Sequence, residues 1–166
     1  LLLASRLGNT HTVQGLLEHG ANLEAKDERG NTALLNCIEL SQNNMARFLL
    51  QKGANVNVTN CNGETPLILA TYLPEMFEMV KLLLKQPAVK IEHRNTFGYT
   101  ALMCAINATN ILAMKLLIDA EEFDSVISRQ TESLAVITAD QLAVEKGLFE
   151  ILKLYRHEKR TGVTSL

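Results

Sequence analysis

Two short patterns return along this chain at nearly constant spacing, and no other feature limits its fold as strongly. Gly30-Asn31-Thr32-Ala33-Leu34 is echoed by Gly63-Glu64-Thr65-Pro66-Leu67 and again by Gly98-Tyr99-Thr100-Ala101-Leu102. Thr32 and Thr65 stand 33 residues apart, Thr65 and Thr100 stand 35 apart, and Gly20 and Gly53 stand 33 apart. A period of that length points to a solenoid of helical hairpins, each of which buries its apolar side on the next. At 166 residues the chain has room for about five such units in a row.

The residues between these markers alternate between helix and turn. Leu1, Leu2, Leu3 and Leu7 end one helix near Gly8, and Val13, Leu16 and Leu17 give a second whose apolar side packs inward. Gly20 reads as its stop, because glycine accepts the positive φ that a side chain resists. Residues 22–30 form a polar connection. Thr32 is placed to cap a helix holding Leu34, Leu35, Cys37 and Ile38, and Asn43 and Asn44 separate it from Met45, Phe48, Leu49 and Leu50. Thr65-Pro66 is the strongest helix opening, with a capping hydroxyl and a proline at the first helical position. Pro74 marks the break before a helix that starts near Glu75. Single insertions at 72–77 and 87–98 account for the interval of 35, and they fall in loops, where a stack tolerates them. Leu102, Ala105 and Ile106, then Met114, Leu116, Leu117 and Ile118, supply the next pair. Residues 121–137 interrupt the pattern as a long loop, with a short helical turn over 124–127 as one option. Thr138, Leu142, Gly147, Ile151 and Leu154 then restore it. The expected organisation is one domain over 1–166, with repeats at 1–26 (partial), 27–59, 60–94 and 95–120, an irregular loop at 121–137 and a terminal repeat at 138–160.

Composition narrows the function by exclusion. Charged residues make up 20% and the net charge is -2, which gives no electrostatic footprint for nucleic acid. The one basic cluster, Arg156, His157, Lys159 and Arg160, reads as a solvated cap on the last helix, with a docking patch as the alternative. Cys37, Cys61 and Cys104 are odd in number and lack metal-ligand spacing, so a reducing setting is expected, cytoplasmic or nuclear. No apolar run approaches the roughly 18 to 20 residues that span a bilayer, so direct membrane insertion is not expected. Arg6 interrupts the opening Leu-Leu-Leu-Ala-Ser, which does not read as a signal peptide. The chain starts inside a repeat and is expected to be part of a longer protein. His11, His19, His93 and His157 lie in different repeats without a second ligand at metal spacing. The glycines follow the repeat phase and are not gathered before one helix as a phosphate loop requires. Cys37 and Cys104 lie on apolar faces as small core residues. Cys61 sits in an exposed turn, either as an ordinary surface cysteine or as a reactive thiol. The expectation is no catalytic residue, no cofactor, no metal and no enzyme.

The three Gly-x-Thr-(Pro/Ala)-Leu motifs resemble the Gly-x-Thr-Pro-Leu signature of ankyrin repeats. Leu16-Leu17-Glu18-His19-Gly20-Ala21-Asn22 and Leu49-Leu50-Gln51-Lys52-Gly53-Ala54-Asn55-Val56-Asn57 are similar to its other half. The resemblance covers the chain apart from 121–137. It implies an all-α ankyrin-repeat solenoid of stacked helix-turn-helix units with projecting β-turn or hairpin loops. One departure is consistent: where the family usually has His after Thr-Pro-Leu, this chain has Leu35, Ile68 and Met103. The His–Thr hydrogen bond of the family is then replaced by apolar packing.

The resemblance also implies where a partner is held, at the turn tips and on the exposed side of the first helices. Mapped by phase, these are Lys26, Glu28, Arg29 and Asn31, then Thr59, Cys61, Asn62 and Glu64, then Arg94, Thr96, Phe97 and Tyr99. Glu39, Tyr72 and Asn107 are the matching first-helix positions. Their mixed signs suit a protein or peptide partner better than nucleic acid, which selects a uniformly basic face. Phe97 and Tyr99 replace polar residues at equivalent turn positions. Either at least one is a partner anchor, or they fold back onto Met103 or a neighbouring turn. The expected role is a protein-interaction module, a scaffold or targeting segment of a larger protein. The alternatives are a stoichiometric inhibitor of a partner kinase or protease, or a domain that positions a catalytic or channel-forming parent chain.

Overall fold

The computed structural model describes residues 1–120 and 138–161. The loop expected at 121–137 lies outside them, as do the side chains of Lys159 and Arg160. Every regular element among the described residues is helical: α1 (Leu2–Arg6), α2 (Thr10–Glu18), α3 (Ala33–Glu39), α4 (Asn43–Gln51), α5 (Pro66–Thr71), α6 (Phe77–Leu84), α7 (Ala101–Asn107), α8 (Ile111–Ala120), α9 (Ala139–Glu145) and α10 (Phe149–Thr161). A 3-10 turn at Pro74–Met76 leads into α6. The odd-numbered helices form one continuous row, α1 on α3, α3 on α5, α5 on α7 and α7 on α9, and each even-numbered helix packs on its own predecessor. This is the stacked-hairpin solenoid that the period of 33 requires.

The core runs between the helices as one band. Leu34, Leu67 and Leu102 of the repeated motif are all buried, and so are Leu35, Ile68 and Met103 beside them, where apolar packing fills the place of the family's histidine. Cys37 and Cys104 lie in the same band. Leu16 departs from expectation: Val13 is buried and Leu17 half-buried, but Leu16 is exposed on α2.

Thr65, Thr100 and Thr138 cap α5, α7 and α9 through hydroxyls that accept from Ile68, Met103 and Gln141 N–H. At Thr138 the Gln141 side chain accepts in return from the cap backbone, which completes a capping box. Thr32 does not cap. Its hydroxyl is buried and has no partner among the described residues.

The turn within each helix pair was harder to read in advance. Asn43 and Asn44 belong to the first turn of α4, and the break lies at Leu40–Gln42. Its pivot is a left-handed residue: Ser41 at φ 54° and, at the same phase, Thr109 at φ 53°, where the first and last pairs have Gly8 and Gly147. A β-branched residue in this region is strained. Thr109→Gly is expected to stabilise the fold by about 1 kcal/mol, read as a higher Tm in a thermal melt. A lower Tm would show that the threonine side chain contributes more than its backbone costs.

Candidate functional site

The turns before α3, α5 and α7 share one construction. Asp27, Asn60 and Asn95 each stand five residues before the motif threonine. Each turns its side-chain oxygen back on the chain. Asp27 Oδ1 accepts from Arg29 and Asn31 N–H at 3.0 and 2.9 Å. Asn60 Oδ1 accepts from Asn62 and Glu64 N–H at 3.0 Å each. Asn95 Oδ1 accepts from Phe97 and Tyr99 N–H at 3.0 and 2.9 Å. Adjacent turns are then bonded to one another. Cys61 N–H donates to the Arg29 carbonyl at 3.0 Å, and the N–H and hydroxyl of Thr96 both donate to the Asn62 carbonyl at 2.9 Å. The anchoring residues carry no signal in composition, but their register with Thr32, Thr65 and Thr100 would have found them.

The row of turns places the expected site residues unevenly. Lys26, Glu28, Arg29, Asn62, Arg94, Thr96, Phe97 and Asn107 are exposed, as is Cys61, while Thr59, Glu39, Glu64, Tyr72 and Tyr99 are half-buried. Lys26 donates to the Thr59 carbonyl of the next turn at 2.7 Å. Asn31 departs from the expected exposure: it is fully buried, and its amide donates to Glu39 at 3.1 Å and to Asn36 at 3.3 Å. It supports the face from beneath and does not present itself to a partner. Tyr99 packs against the core, whereas Phe97 is 70% exposed at the tip.

Two local environments result. Around α3 the charged groups and amides bond one another, while Asn31 Oδ1 and the Thr32 hydroxyl are buried without a partner among the described residues. Arg29 pairs with Glu39 at 2.7 Å, and the buried Asn36 donates to Asp27 Oδ2 at 3.0 Å. Burial pushes the Asp27 carboxyl up, but the bonds from Asn36, Asn31 and Arg29 and the charge of Arg29 together hold it below the usual aspartate value. Around α5 and α7 the surface is aromatic. The Tyr72 hydroxyl donates to Cys104 Sγ at 3.2 Å. Burial, the thiol and the charge of Glu64 drive the Tyr72 hydroxyl well above its ordinary range. Burial also pushes the Cys104 thiol up to about 11, against the Tyr72 bond and with the Glu64 charge. Both groups therefore stay protonated near neutrality, and the Cys104 thiol, fully buried, is not a surface nucleophile. Among the described residues, no group of three His, Cys, Asp or Glu is arranged to hold a metal, and no helix is long and apolar enough to cross a membrane.

Known proteins are similar to this chain in sequence. A family model for ankyrin repeats, three copies long, matches residues 1–95. The chain is 34% identical over 112 residues to a protein named as an ankyrin repeat protein in Rickettsia felis, a match covering 67% of this chain and 37% of that one. It is 35% identical over 123 residues to ankyrin repeat protein FPV031 of Fowlpox virus, covering 71% and 36%. It is also 32% identical over 96 residues to human transient receptor potential cation channel subfamily A member 1, covering 58% of this chain and 8% of the channel. The chain thus spans little more than a third of the first two relatives. With the matched motifs, the stacked hairpins and the bonded row of turns in agreement, the chain belongs to the ankyrin repeat family.

Proposed function

We propose that the chain binds a protein or peptide through its concave face and turn tips, as a scaffold or targeting segment of a larger protein. Ankyrin repeats are protein-interaction modules, and the observation that carries the reading to this surface is Phe97. A large ring 70% exposed at the tip of an ordered turn loses little by folding and gains on being covered. Exposed Arg29, Glu28, Asn62 and Asn107 along the same face supply the mixed polar rim of a protein interface better than the uniform positive charge that nucleic acid selects. The coverage of just over a third of the longer relatives supports a role inside a larger chain. Three free thiols support a cytoplasmic or nuclear setting.

The test uses peptides selected on the chain from a displayed random library, with affinity and melting measured side by side. Phe97→Ala is expected to weaken binding by more than about 1 kcal/mol with the melt hardly changed. Tyr99→Ala is expected to lose binding together with some stability, since that ring also packs on the core. Unchanged affinity in Phe97→Ala, or a stability loss that matches its affinity loss, would refute the reading.

A further inference from the structure

One carboxylate on this face lacks the cation that its counterpart in the preceding unit has. In the turn before α3, the Glu39 carboxylate is met by the Arg29 guanidinium at 2.7 Å and by the Asn31 amide at 3.1 Å. One unit on, the phase of Arg29 is taken by Asn62, the phase of Asn31 by Glu64 and the phase of Glu39 by Tyr72. The carboxylate has moved from the helix to the turn, and its cation has gone. Glu64 accepts from Asn60 Nδ2 at 2.9 Å and Asn62 Nδ2 at 3.5 Å, lies within hydrogen-bonding range of the Tyr72 hydroxyl, and forms no ion pair among the described residues. The turn that carries Glu64 is bonded to the next one, whose Thr96 N–H donates to the Asn62 carbonyl at 2.9 Å. A further unit along, the same register carries Tyr99 and the exposed Phe97. Arg94, the cation of that last turn, is already engaged with the Gly98 carbonyl at 2.6 Å.

We propose that Glu64, in the turn adjoining the one that carries Phe97 and Tyr99, receives a lysine or arginine side chain from the partner, in the role that Arg29 fills internally for Glu39. A half-buried carboxylate beside aromatic rings favours a cation twice over, through its charge and through the negative ring faces. Partial burial also shields the pair from salt better than a fully exposed one. The rings cover the aliphatic stem of such a side chain while its head meets the carboxylate. This assignment rests on the docking face proposed above and specifies what that face selects.

Two synthetic peptide pools test it, identical in their randomised flanks and differing in one fixed central residue, arginine in one and glutamate in the other. Each is titrated into the isotope-labelled chain and followed by the backbone amide signals of residues 62–64, 72, 99 and 104. The arginine pool is expected to shift these signals saturably and the glutamate pool to leave them. Glu64→Gln keeps an oxygen for the Asn60 and Asn62 amides, so its melt should match the native one. The arginine pool should nonetheless bind it about fivefold or more weakly at low salt. Equal response to the two pools, no response to the arginine pool, or undiminished affinity in Glu64→Gln would overturn the assignment. If both pools bind alike and Phe97→Ala weakens both, the docking face stands and only the cation is wrong. If neither pool reaches these signals and library-selected peptides bind Phe97→Ala unchanged, the docking face falls with it.

Discussion

Leu67→Ala is expected to lower the unfolding free energy by about 2–5 kcal/mol, the range for emptying a fully buried leucine site. Leu67 is 1% exposed and sits on α5, which packs against α3 on one side and α7 on the other as well as on α6. The cavity therefore opens in the middle of the row. In a stack whose units touch only their neighbours, the damage is not shared across a common core. The two flanking segments should lose their coupling, so chemical denaturation followed by circular dichroism should show an earlier and broader transition. Hydrogen exchange should report lost protection in α5 and α6 first. A cost below about 1 kcal/mol would mean that α5 is not the packed centre described here.

Gly30→Ala is expected to be the most damaging small substitution in a turn. Gly30 has φ +75°, and a methyl there would lie 2.9 Å from the Cys61 backbone nitrogen and 3.0 Å from its sulfur. The sulfur can swing aside. The nitrogen cannot, since its N–H bonds the Arg29 carbonyl at 3.0 Å. Gly98 provides the control: its φ is +80°, but a methyl would meet no atom within 4 Å. Gly98→Ala should cost only the left-handed penalty, about 1 kcal/mol. Gly30→Ala should add about 1–3 kcal/mol of steric displacement. Gly63→Ala belongs with Gly30, its methyl being 3.0 Å from Thr96 N. Urea denaturation of the three variants separates the terms, and equal losses at Gly30 and Gly98 would rule out the close seating of one turn on the next.

The fold was legible because its markers repeat. Glycine, threonine and leucine return in phase, and each has a local reason to be where it is: a helix stop, a cap, a buried contact. The candidate site was legible only in part, since exposure depends on what lies across from a residue. Asn31 occupies the phase of Glu64 and Tyr99 in the motif, yet it is buried by Asn36 and Glu39, partners that a motif alone does not name. Tyr99 and Phe97 are two residues apart, and only the packing separates a supporting ring from an available one. Ser41 and Thr109 show the opposite failing. Their backbone shape is set by the stack against the preference of the residue, so no propensity argument would have placed them at positive φ.

Under the docking proposed above, the bonds from Cys61 to Arg29 and from Thr96 to Asn62 bear on any molecule that meets the turns. Loops left to wander must surrender their freedom at the moment of encounter, and that loss is subtracted from affinity. Here the surrender takes place during folding, rung by rung, so an arriving molecule meets a template already cast. Selectivity then resides in which side chains stand on the template, and changing one tip need not reshape its neighbours.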